Sequence, residues 1–320
     1  MPLAMISTQT RASAHSVKSI DAAEHPARTR TECSFCLKRF DVRDVETQVV
    51  PSNVRAHRDE SFHVWRCPDC GTLHCLEVVD LPAYYQNYPL STKYGPATRI
   101  VYRNLFDRLT RCGFMPQHRF LDYGCGQGLF LRFVREMGYQ NGHGYDLYSS
   151  ITEFRNPQAL QKEAYDYILA QDLLEHVEHP RELLRELDSY LRPGGHILIG
   201  TPNADDIKLK RHRDYWNQLH PPYHLHIYNR KTLEALGAEL AWESVQFYDR
   251  PFFDTKAFML NSRALVSYQR FTDGTADALS DHVRRRRLLL SPSFMFFAKF
   301  GYWFSPKADM AVMFRKQGTL

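Results

Sequence analysis

The chain has 320 residues, of which 43% are hydrophobic and 24% are charged, and its formal net charge is +5 at pH 7. This composition indicates a globular protein with one large domain and room for a smaller unit, and the modest charge argues against a nucleic-acid partner. No segment approaches the roughly 20 uninterrupted apolar residues that span a bilayer, and the N-terminus has no apolar secretory signal, so we expect a cytoplasmic protein.

The first part of the chain is rich in Ser, Thr, Ala and Arg and has no apolar periodicity. Such a composition does not build a core, so we predict a flexible tail over residues 1–30. An organelle transit peptide is the alternative interpretation, but Asp21 and Glu24 are atypical of one.

Two Cys-x-x-Cys pairs follow within residues 31–80, formed by Cys33 with Cys36 and by Cys67 with Cys70. Two such pairs supply four thiolates to one tetrahedral zinc ion, and a site with no open coordination position is structural. A unit of this size cannot bury enough apolar surface alone, which a structural metal compensates. The sequence therefore predicts a zinc ribbon, and the alternative is four unrelated buried cysteines.

The next segment, residues 81–95, is predicted to be a linker that docks on the following domain through Tyr84, Tyr85 and Tyr88. Over residues 96–320, helical and strand-like segments alternate, which is typical of a parallel sheet covered by helices. We therefore predict an α/β fold for this larger domain.

A glycine-rich turn, FLDYGCGQG, follows the first buried strand of this domain. It places Asp122 at the end of the strand and Gly124, Gly126 and Gly128 in the turn before a helix. Glycines let the backbone approach a ligand closely there. The next strand ends at Asp146, whose carboxylate is placed to accept hydrogen bonds from both hydroxyls of a ribose. Together these elements predict a nucleoside-binding half-fold.

Three motifs in this order resemble those of class I S-adenosylmethionine-dependent methyltransferases: LDYGCGQG at residues 121–128, DLLEHV at 172–177 and LRPGGHILIGTPN at 191–203. The resemblance covers about residues 95–245. It implies a Rossmann-like, seven-stranded sheet with helices on both faces, S-adenosylmethionine as the cofactor, and methyl transfer rather than hydride transfer. The segment between the second strand and Asp166 is short for a helix plus a third strand, which leaves the adenine contacts open.

The resemblance also assigns site residues by position. The glycines would line the methionine end of the cofactor, Asp146 would bind the ribose, and the residues after the fourth strand would flank the adenine or the reacting end. The predicted cofactor contacts are Asp122, Gly124, Cys125, Gly126, Gly128, Asp146, Leu147, Gln171, Asp172 and Leu173.

A histidine-rich segment, HPPYHLHIYN, resembles the part of this family that overhangs the methyl group. A hydroxyl nucleophile loses its proton as it attacks a sulfonium methyl, so a base or a substrate contact is expected there. His176 of the DLLEHV motif would orient its loop or transfer protons. The alternative is that these histidines only cap or pack. The candidates in the histidine-rich segment are His220, Tyr223, His224 and His226, of which His224 matches the family best.

An insertion over residues 251–307 separates the last two strands and carries a basic cluster, Arg284–Arg287, before an aromatic stretch, 294–304. We predict a helical, lid-like insertion. The alternative is a peripheral membrane surface or one that contacts a lipid-linked substrate, because basic and aromatic residues together suit anionic headgroups.

The leading functional hypothesis is a methyltransferase that acts on a small molecule or a glycan. A zinc ribbon fused to this domain resembles enzymes of sugar, surface-glycan and natural-product biosynthesis, which favours O-methylation. An RNA base methyltransferase is one alternative, but the chain lacks an NPPY-type base-gripping motif after the fourth strand. A non-catalytic module that binds the cofactor or scaffolds a partner is another. The acceptor atom and the oligomeric state are left open.

Overall fold

The computed structural model describes residues 29–85, 93–277 and 285–318. The predictions made for residues 1–28, for Tyr88 and for Arg284 lie outside the described residues. Within the described ranges, no helix is long and apolar enough to cross a membrane.

Ten strands and nine α-helices are defined in this part of the chain. The strands are Thr47–Pro51 (β1), Ser61–Arg66 (β2), Leu73–Cys75 (β3), Phe120–Tyr123 (β4), Gly142–Tyr145 (β5), Tyr165–Gln171 (β6), Leu191–Pro202 (β7), His226–Ile227 (β8), Trp242–Tyr248 (β9) and Asp309–Lys316 (β10). The helices are Leu81–Tyr85 (α1), Pro96–Arg111 (α2), Leu129–Glu136 (α3), Pro180–Tyr190 (α4), Trp216–Leu219 (α5), Arg230–Ala238 (α6), Ser262–Gln269 (α7), Arg285–Leu289 (α8) and Pro292–Phe300 (α9).

The larger sheet has the strand order β5-β4-β6-β7-β10-β9, with β4 to β7 parallel and β10 antiparallel to both of its neighbours. Successive side chains of β6 enter opposite apolar clusters. Ile168 and Ala170 pack in the cluster that contains residues of α4 and α6, whereas Leu169 packs in the cluster that contains residues of α2 and α3. The sheet is therefore buried on both faces, which confirms the predicted α/β class.

The larger sheet has six strands in the described residues, so the predicted count of seven is one too high. The missing strand is the third in chain order, between β5 and β6. Two 3₁₀ turns, Thr152–Arg155 and Pro157–Ala159, occupy this segment instead. Asn156 explains the turn locally, because its side chain accepts a hydrogen bond from the N–H of Gln158 while the proline between them has no N–H for a sheet ladder.

The cysteine-bearing unit shares its sheet with the α/β domain. The order is β1-β2-β3-β8, and all pairs are antiparallel. Leu73 pairs with Ile227 and His74 with His226, so a two-residue strand from the middle of the α/β domain completes the sheet. The unit predicted as an N-terminal ribbon is therefore joined to the α/β domain by main-chain pairing.

Two arginines connect the two units, one from each unit donating hydrogen bonds to backbone carbonyls of the other. Arg66 on β2 donates hydrogen bonds to the carbonyls of Ala204 (3.0 Å) and Ile207 (2.6 Å). Arg181 at the start of α4 donates to the carbonyl of Ser34, at 2.6 Å, in the first cysteine turn. Guanidinium groups with several fixed donors suit such multiple contacts, so the ribbon has a defined orientation on the domain.

Candidate active site and metal centre

The four cysteines of the two pairs form one cluster, with their sulfur atoms within 4.8 Å of one another. The Cys33 and Cys70 sulfurs are 3.5 Å apart, and those of Cys36 and Cys67 are 3.6 Å apart. These distances exceed a disulfide bond of about 2.05 Å and approach the roughly 3.8 Å between thiolates that bind zinc at about 2.3 Å. The cluster therefore fits one structural zinc ion.

Both cysteine turns have the same backbone geometry. The N–H of Leu37 donates to the carbonyl of Cys33, and the N–H of Gly71 donates to that of Cys67, each at 2.9 Å. Leu37 and Gly71 both adopt the left-handed conformation, with φ of 59° and 78°. Glycine adopts it at little cost, whereas a leucine is strained, so only the second turn has the residue that its geometry favours.

A cavity of about 780 Å³ lies at the carboxyl ends of β4, β5 and β6, where parallel α/β sheets bind their ligands. We call it the cofactor cavity. Five of the predicted cofactor contacts line it, namely Gly124, Gly126, Asp146, Asp172 and Leu173. A second cavity of about 260 Å³ adjoins it across the glycine turn and is lined by the predicted contacts Asp122, Cys125 and Gln171.

Two carboxylates flank the glycine turn. Asp146 accepts hydrogen bonds from the N–H of Gly126 (2.9 Å) and from that of Tyr148 (2.8 Å). Asp122 is buried at the end of β4, and burial together with the charge of Asp146 raises the pKa of Asp122 to about 7. A cationic ligand favours such carboxylates, and S-adenosylmethionine carries a sulfonium and an ammonium group. The residues present therefore fit this cofactor in charge and in position.

Gly128 and Leu147 have different surroundings from the other predicted contacts. Gly128 adopts a φ of 67°, and a Cβ at this position would lie 2.2 Å from Cζ of Phe154. This glycine lets the turn pack against Phe154. Leu147 is 62% exposed and lines neither of these cavities, whereas the next residue, Tyr148, lines the cofactor cavity and stacks on Tyr85 with ring centroids 5.6 Å apart.

The predicted linker contributes one wall of the cofactor cavity. Its first residues form α1, and Leu81, Pro82 and Tyr85 line the cavity. The sequence analysis did not assign Tyr85 or Tyr148 to the site. The tyrosines of the predicted linker could have indicated Tyr85, because a segment that docks beside the glycine turn also covers the ligand bound there.

A third cavity, of about 190 Å³, shares Asp172 and His176 with the cofactor cavity. Three of the five candidate residues line it, namely His176, His220 and His224, so we call it the histidine cavity. The fourth candidate, Tyr223, donates its hydroxyl to a backbone carbonyl of α1 at 3.0 Å. His226 lies in the ribbon sheet, where it pairs with β3.

Backbone carbonyls fix the orientation of two of these imidazoles. Nδ1 of His224 is 2.6 Å from the carbonyl oxygen of Gln218, and Nδ1 of His176 is 3.1 Å from that of Tyr223. A carbonyl oxygen only accepts, so these contacts place the hydrogen on Nδ1 and the lone pair on Nε2 of each ring. Nδ1 of His176 also lies 3.0 Å from the hydroxyl oxygen of Tyr85, which accepts in this tautomer.

The ribbon unit reaches the histidine cavity through Asn53. The Asn53 amide nitrogen donates to the carbonyl of Trp216 (3.1 Å), which turns its oxygen towards Nδ1 of His220. Asn53 lines the histidine cavity with the three histidines. No motif surrounds Asn53 in the sequence, so only the docking of the ribbon places it in the site.

Burial controls protonation in this cavity. It lowers the pKa of His176 to about 4, and burial with the nearby His176 lowers that of His220 to about 3. Burial, with a contribution from Asp172, raises the pKa of Glu175 well above its usual range. The imidazoles are therefore neutral at pH 7, which suits hydrogen-bond acceptance and metal coordination.

Fold and site together define an α/β domain that binds a nucleoside cofactor at the carboxyl edge of its sheet. Residues 97–246 match a family model described as a methyltransferase domain. This part of the chain is a class I, S-adenosylmethionine-dependent methyltransferase domain. The match ends before the insertion and does not include the ribbon.

The chain is similar to curated proteins and to solved structures that are described as methyltransferases. The chain is similar to ubiquinone biosynthesis O-methyltransferases of Parvibaculum lavamentivorans, with 31% identity over 27% of this chain and 40% of the relative, and of Yersinia pestis, with 25% identity over 37% and 56%. The chain thus spans about half the length of these relatives. Similar solved structures include an Archaeoglobus fulgidus S-adenosylmethionine-dependent methyltransferase, with 18% identity, coverage of 67% and 94% and a TM-score of 0.41. A Haemonchus contortus phosphoethanolamine N-methyltransferase has 15% identity, coverage of 89% and 72% and a TM-score of 0.46.

Proposed function

We propose that this protein transfers the methyl group of S-adenosylmethionine to a hydroxyl oxygen of a small molecule. The observation that carries the proposal is the direct junction of the cofactor cavity and the histidine cavity at Asp172 and His176. A methyl donor in one cavity and an acceptor in the other would meet there. The names of the O-methyltransferase relatives support oxygen as the acceptor atom.

The size of the histidine cavity favours a small acceptor group. Its volume of about 190 Å³ is slightly larger than the engineered cavity of about 150 Å³ that holds one benzene molecule. A single hydroxylated ring of a glycan or a specialised metabolite fits this space. The modest net charge of +5 gives little support for a nucleic-acid acceptor, so the proposal does not include RNA.

The chain's own residues position the two reactants. S-adenosylmethionine, when bound, supplies an activated methyl group. Asp146 and the glycine turn hold the cofactor, and Tyr85 stacked on Tyr148 covers it. The neutral imidazoles of the histidine cavity receive the acceptor hydroxyl and weaken its O–H bond.

We also propose that the protein is cytoplasmic and contacts membrane surfaces peripherally. None of the seven cysteines forms a disulfide bond, which suits a reducing compartment. In the insertion, Phe296, Phe300, Trp303 and Phe304 are at least 40% exposed and form a contiguous aromatic patch beside Lys299. Aromatic and basic side chains together suit anionic headgroups, so this patch would bring the enzyme to lipid-linked acceptors.

The proposal is tested in two steps with zinc-loaded protein. Calorimetry measures S-adenosylmethionine binding by the wild type, by Asp146→Asn and by the control Asp59→Asn, whose side chain is 95% exposed. We expect binding that is at least tenfold weaker only in Asp146→Asn. Formation of S-adenosylhomocysteine is then screened with phenols, catechols, sugars and RNA. Absence of cofactor binding would support a scaffold instead, and turnover with RNA alone would overturn the small-molecule assignment.

A further inference from the structure

A second group of metal-binding side chains lies at the junction of the two cavities. Glu175, His176 and His224 each offer one ligand atom, and these atoms lie within 4.8 Å of one another. Two of the residues are adjacent in the chain, and the third follows about fifty residues later. Two imidazoles and one carboxylate form the ligand set of many sites that keep open coordination positions.

Both imidazoles present a lone pair to this group. Nδ1 of His176 lies 3.1 Å from the carbonyl oxygen of Tyr223 and 3.0 Å from the hydroxyl oxygen of Tyr85, and Nδ1 of His224 lies 2.6 Å from the carbonyl oxygen of Gln218. A carbonyl oxygen only accepts, so each Nδ1 donates. Their Nε2 atoms are therefore the ones available for coordination. Metal-binding histidines are usually oriented in this way, by a hydrogen bond from the nitrogen that does not bind the metal.

In the carboxylate of Glu175, likewise, one oxygen is held by a hydrogen bond and the other is available to a ligand. Its Oε2 accepts a hydrogen bond from the hydroxyl of Thr201 at 3.0 Å. The Glu175 side chain is fully buried, and within the described residues its Oε1 has no hydrogen-bond partner. A buried oxygen without a partner costs free energy, so this atom points to a ligand that completes the site. Asp172 and Asp309 line the same cavity and add further carboxyl groups.

We propose that Glu175, His176 and His224 bind one zinc or iron(II) ion that keeps open coordination positions in the histidine cavity. This site differs from the ribbon site, whose four cysteines leave no open position. The ligand atoms lie within 4.8 Å of one another, so they would approach by at most about 2 Å, because ligands bound at about 2.1 Å lie some 3 to 3.5 Å apart.

The role of the ion rests on the proposed function. The acceptor hydroxyl binds at an open position, where the ion lowers the pKa of the hydroxyl group. The hydroxyl proton leaves to water, the oxygen forms a bond to the methyl carbon, and the carbon–sulfur bond breaks with its electron pair remaining on sulfur. His176 and His224 then act as metal ligands, and no histidine is required as a general base.

The binding site is tested by counting metals in the full chain. Wild type and the variants Glu175→Gln, His224→Gln and His212→Gln are purified, equilibrated with zinc, desalted and analysed for bound metal. His212 is the control, because it is a histidine outside the cluster. We expect two zinc ions per chain in the wild type and in His212→Gln, and one in the other two variants. Retained S-adenosylmethionine binding shows that each variant is folded.

Cobalt(II) added to protein that carries zinc only in the ribbon site gives an independent readout. We expect a visible spectrum without sulfur-to-cobalt charge transfer, which assigns the ion to nitrogen and oxygen ligands rather than to the ribbon. The affinity should fall at least about 100-fold in Glu175→Gln. One zinc per wild-type chain, or two in every variant, would overturn the site.

The role of the ion is tested separately, by methyl transfer before and after removal of the second metal. Loss of turnover with unchanged S-adenosylmethionine binding supports it, and unchanged turnover refutes it. Metal binding without turnover on any acceptor would contradict the proposed function and leave the metal site standing.

Discussion

His74 of the ribbon and His226 of the methyltransferase domain face each other in one antiparallel ladder, with their Nδ1 atoms 3.3 Å apart. Both side chains are buried, so this contact lies inside the molecule. His226 is two residues after His224 of the histidine cavity. The zinc-bearing unit is thereby connected to the candidate acceptor site through one short strand.

Loss of the ribbon zinc should therefore disturb the acceptor site. Cys36→Ala removes one thiolate, and we expect loss of the ribbon zinc and a melting midpoint lower by roughly 10 °C. Calorimetric scans and metal analysis measure both effects. Cys112→Ala is the matched control, because Cys112 lies outside the cluster. A Cys36→Ala protein with full zinc content would contradict the assignment of the four ligands.

Replacement by alanine should have different effects at two glycines of the cofactor turn. It should mainly lower stability at Gly128 and mainly weaken cofactor binding at Gly126. A Cβ at Gly128 meets the ring of Phe154 at 2.2 Å, so Gly128→Ala should lower the free energy of unfolding by about 2 to 4 kcal/mol. A Cβ at Gly126 meets nothing within 4 Å, and this residue lines the cofactor cavity. Gly126→Ala should cost only about 1 kcal/mol of backbone strain but weaken S-adenosylmethionine binding. Urea unfolding and calorimetry separate the two effects, and equal losses of stability would contradict the geometry.

The neighbours Leu147 and Tyr148 form a second matched pair. Both are more than 60% exposed, but only Tyr148 stacks on Tyr85 over the cofactor cavity. We expect Tyr148→Ala to weaken S-adenosylmethionine binding roughly fivefold, since an aromatic contact contributes about 1 kcal/mol. Leu147→Ala should leave the affinity unchanged. The reverse result would restore Leu147 as a cofactor contact.

Asp122 predicts a pH dependence of stability in the cofactor-free protein. Burial and Asp146 raise its pKa to about 7, above the value of about 3.9 in unfolded chains. Because the folded state binds this proton more tightly, the stabilisation is present at low pH and is lost as the pH rises through about 7. Asp122→Asn should thus be more stable than the wild type at pH 8, by up to about 4 kcal/mol, and similar to it near pH 4. A pH-independent difference in urea unfolding would show that Asp122 does not titrate in this range.

The aromatic patch predicts binding to anionic vesicles. Wild-type protein should sediment with phosphatidylglycerol vesicles and less with phosphatidylcholine vesicles. Replacing Phe300 and Trp303 by serine should reduce sedimentation at least threefold. Phe258→Ser is the control, because Phe258 is 52% exposed but lies outside the patch. Equal sedimentation of all three proteins would exclude the patch as a membrane contact.

The features that the sequence predicted correctly are short and local. The four-cysteine cluster and the glycine turn each depend on a fixed spacing that the ligand's chemistry imposes, and the alternation of strands and helices follows from burial of both sheet faces. The third strand was predicted from the resemblance and is absent from the described residues. The turn at Asn156 shows why, because local hydrogen bonding and a proline compete with strand formation there.

The sequence by itself determined the four-cysteine cluster, the methyltransferase class and the residues of the glycine turn, because each depends on short motifs with a fixed spacing. Tertiary structure alone decided that β8 closes the ribbon sheet, that Asn53 reaches His220, and that Glu175 meets His224. The contacting residues in these pairs are separated by 49 to 167 positions along the chain. Such contacts form only when whole elements pack, so no local pattern in the sequence records them.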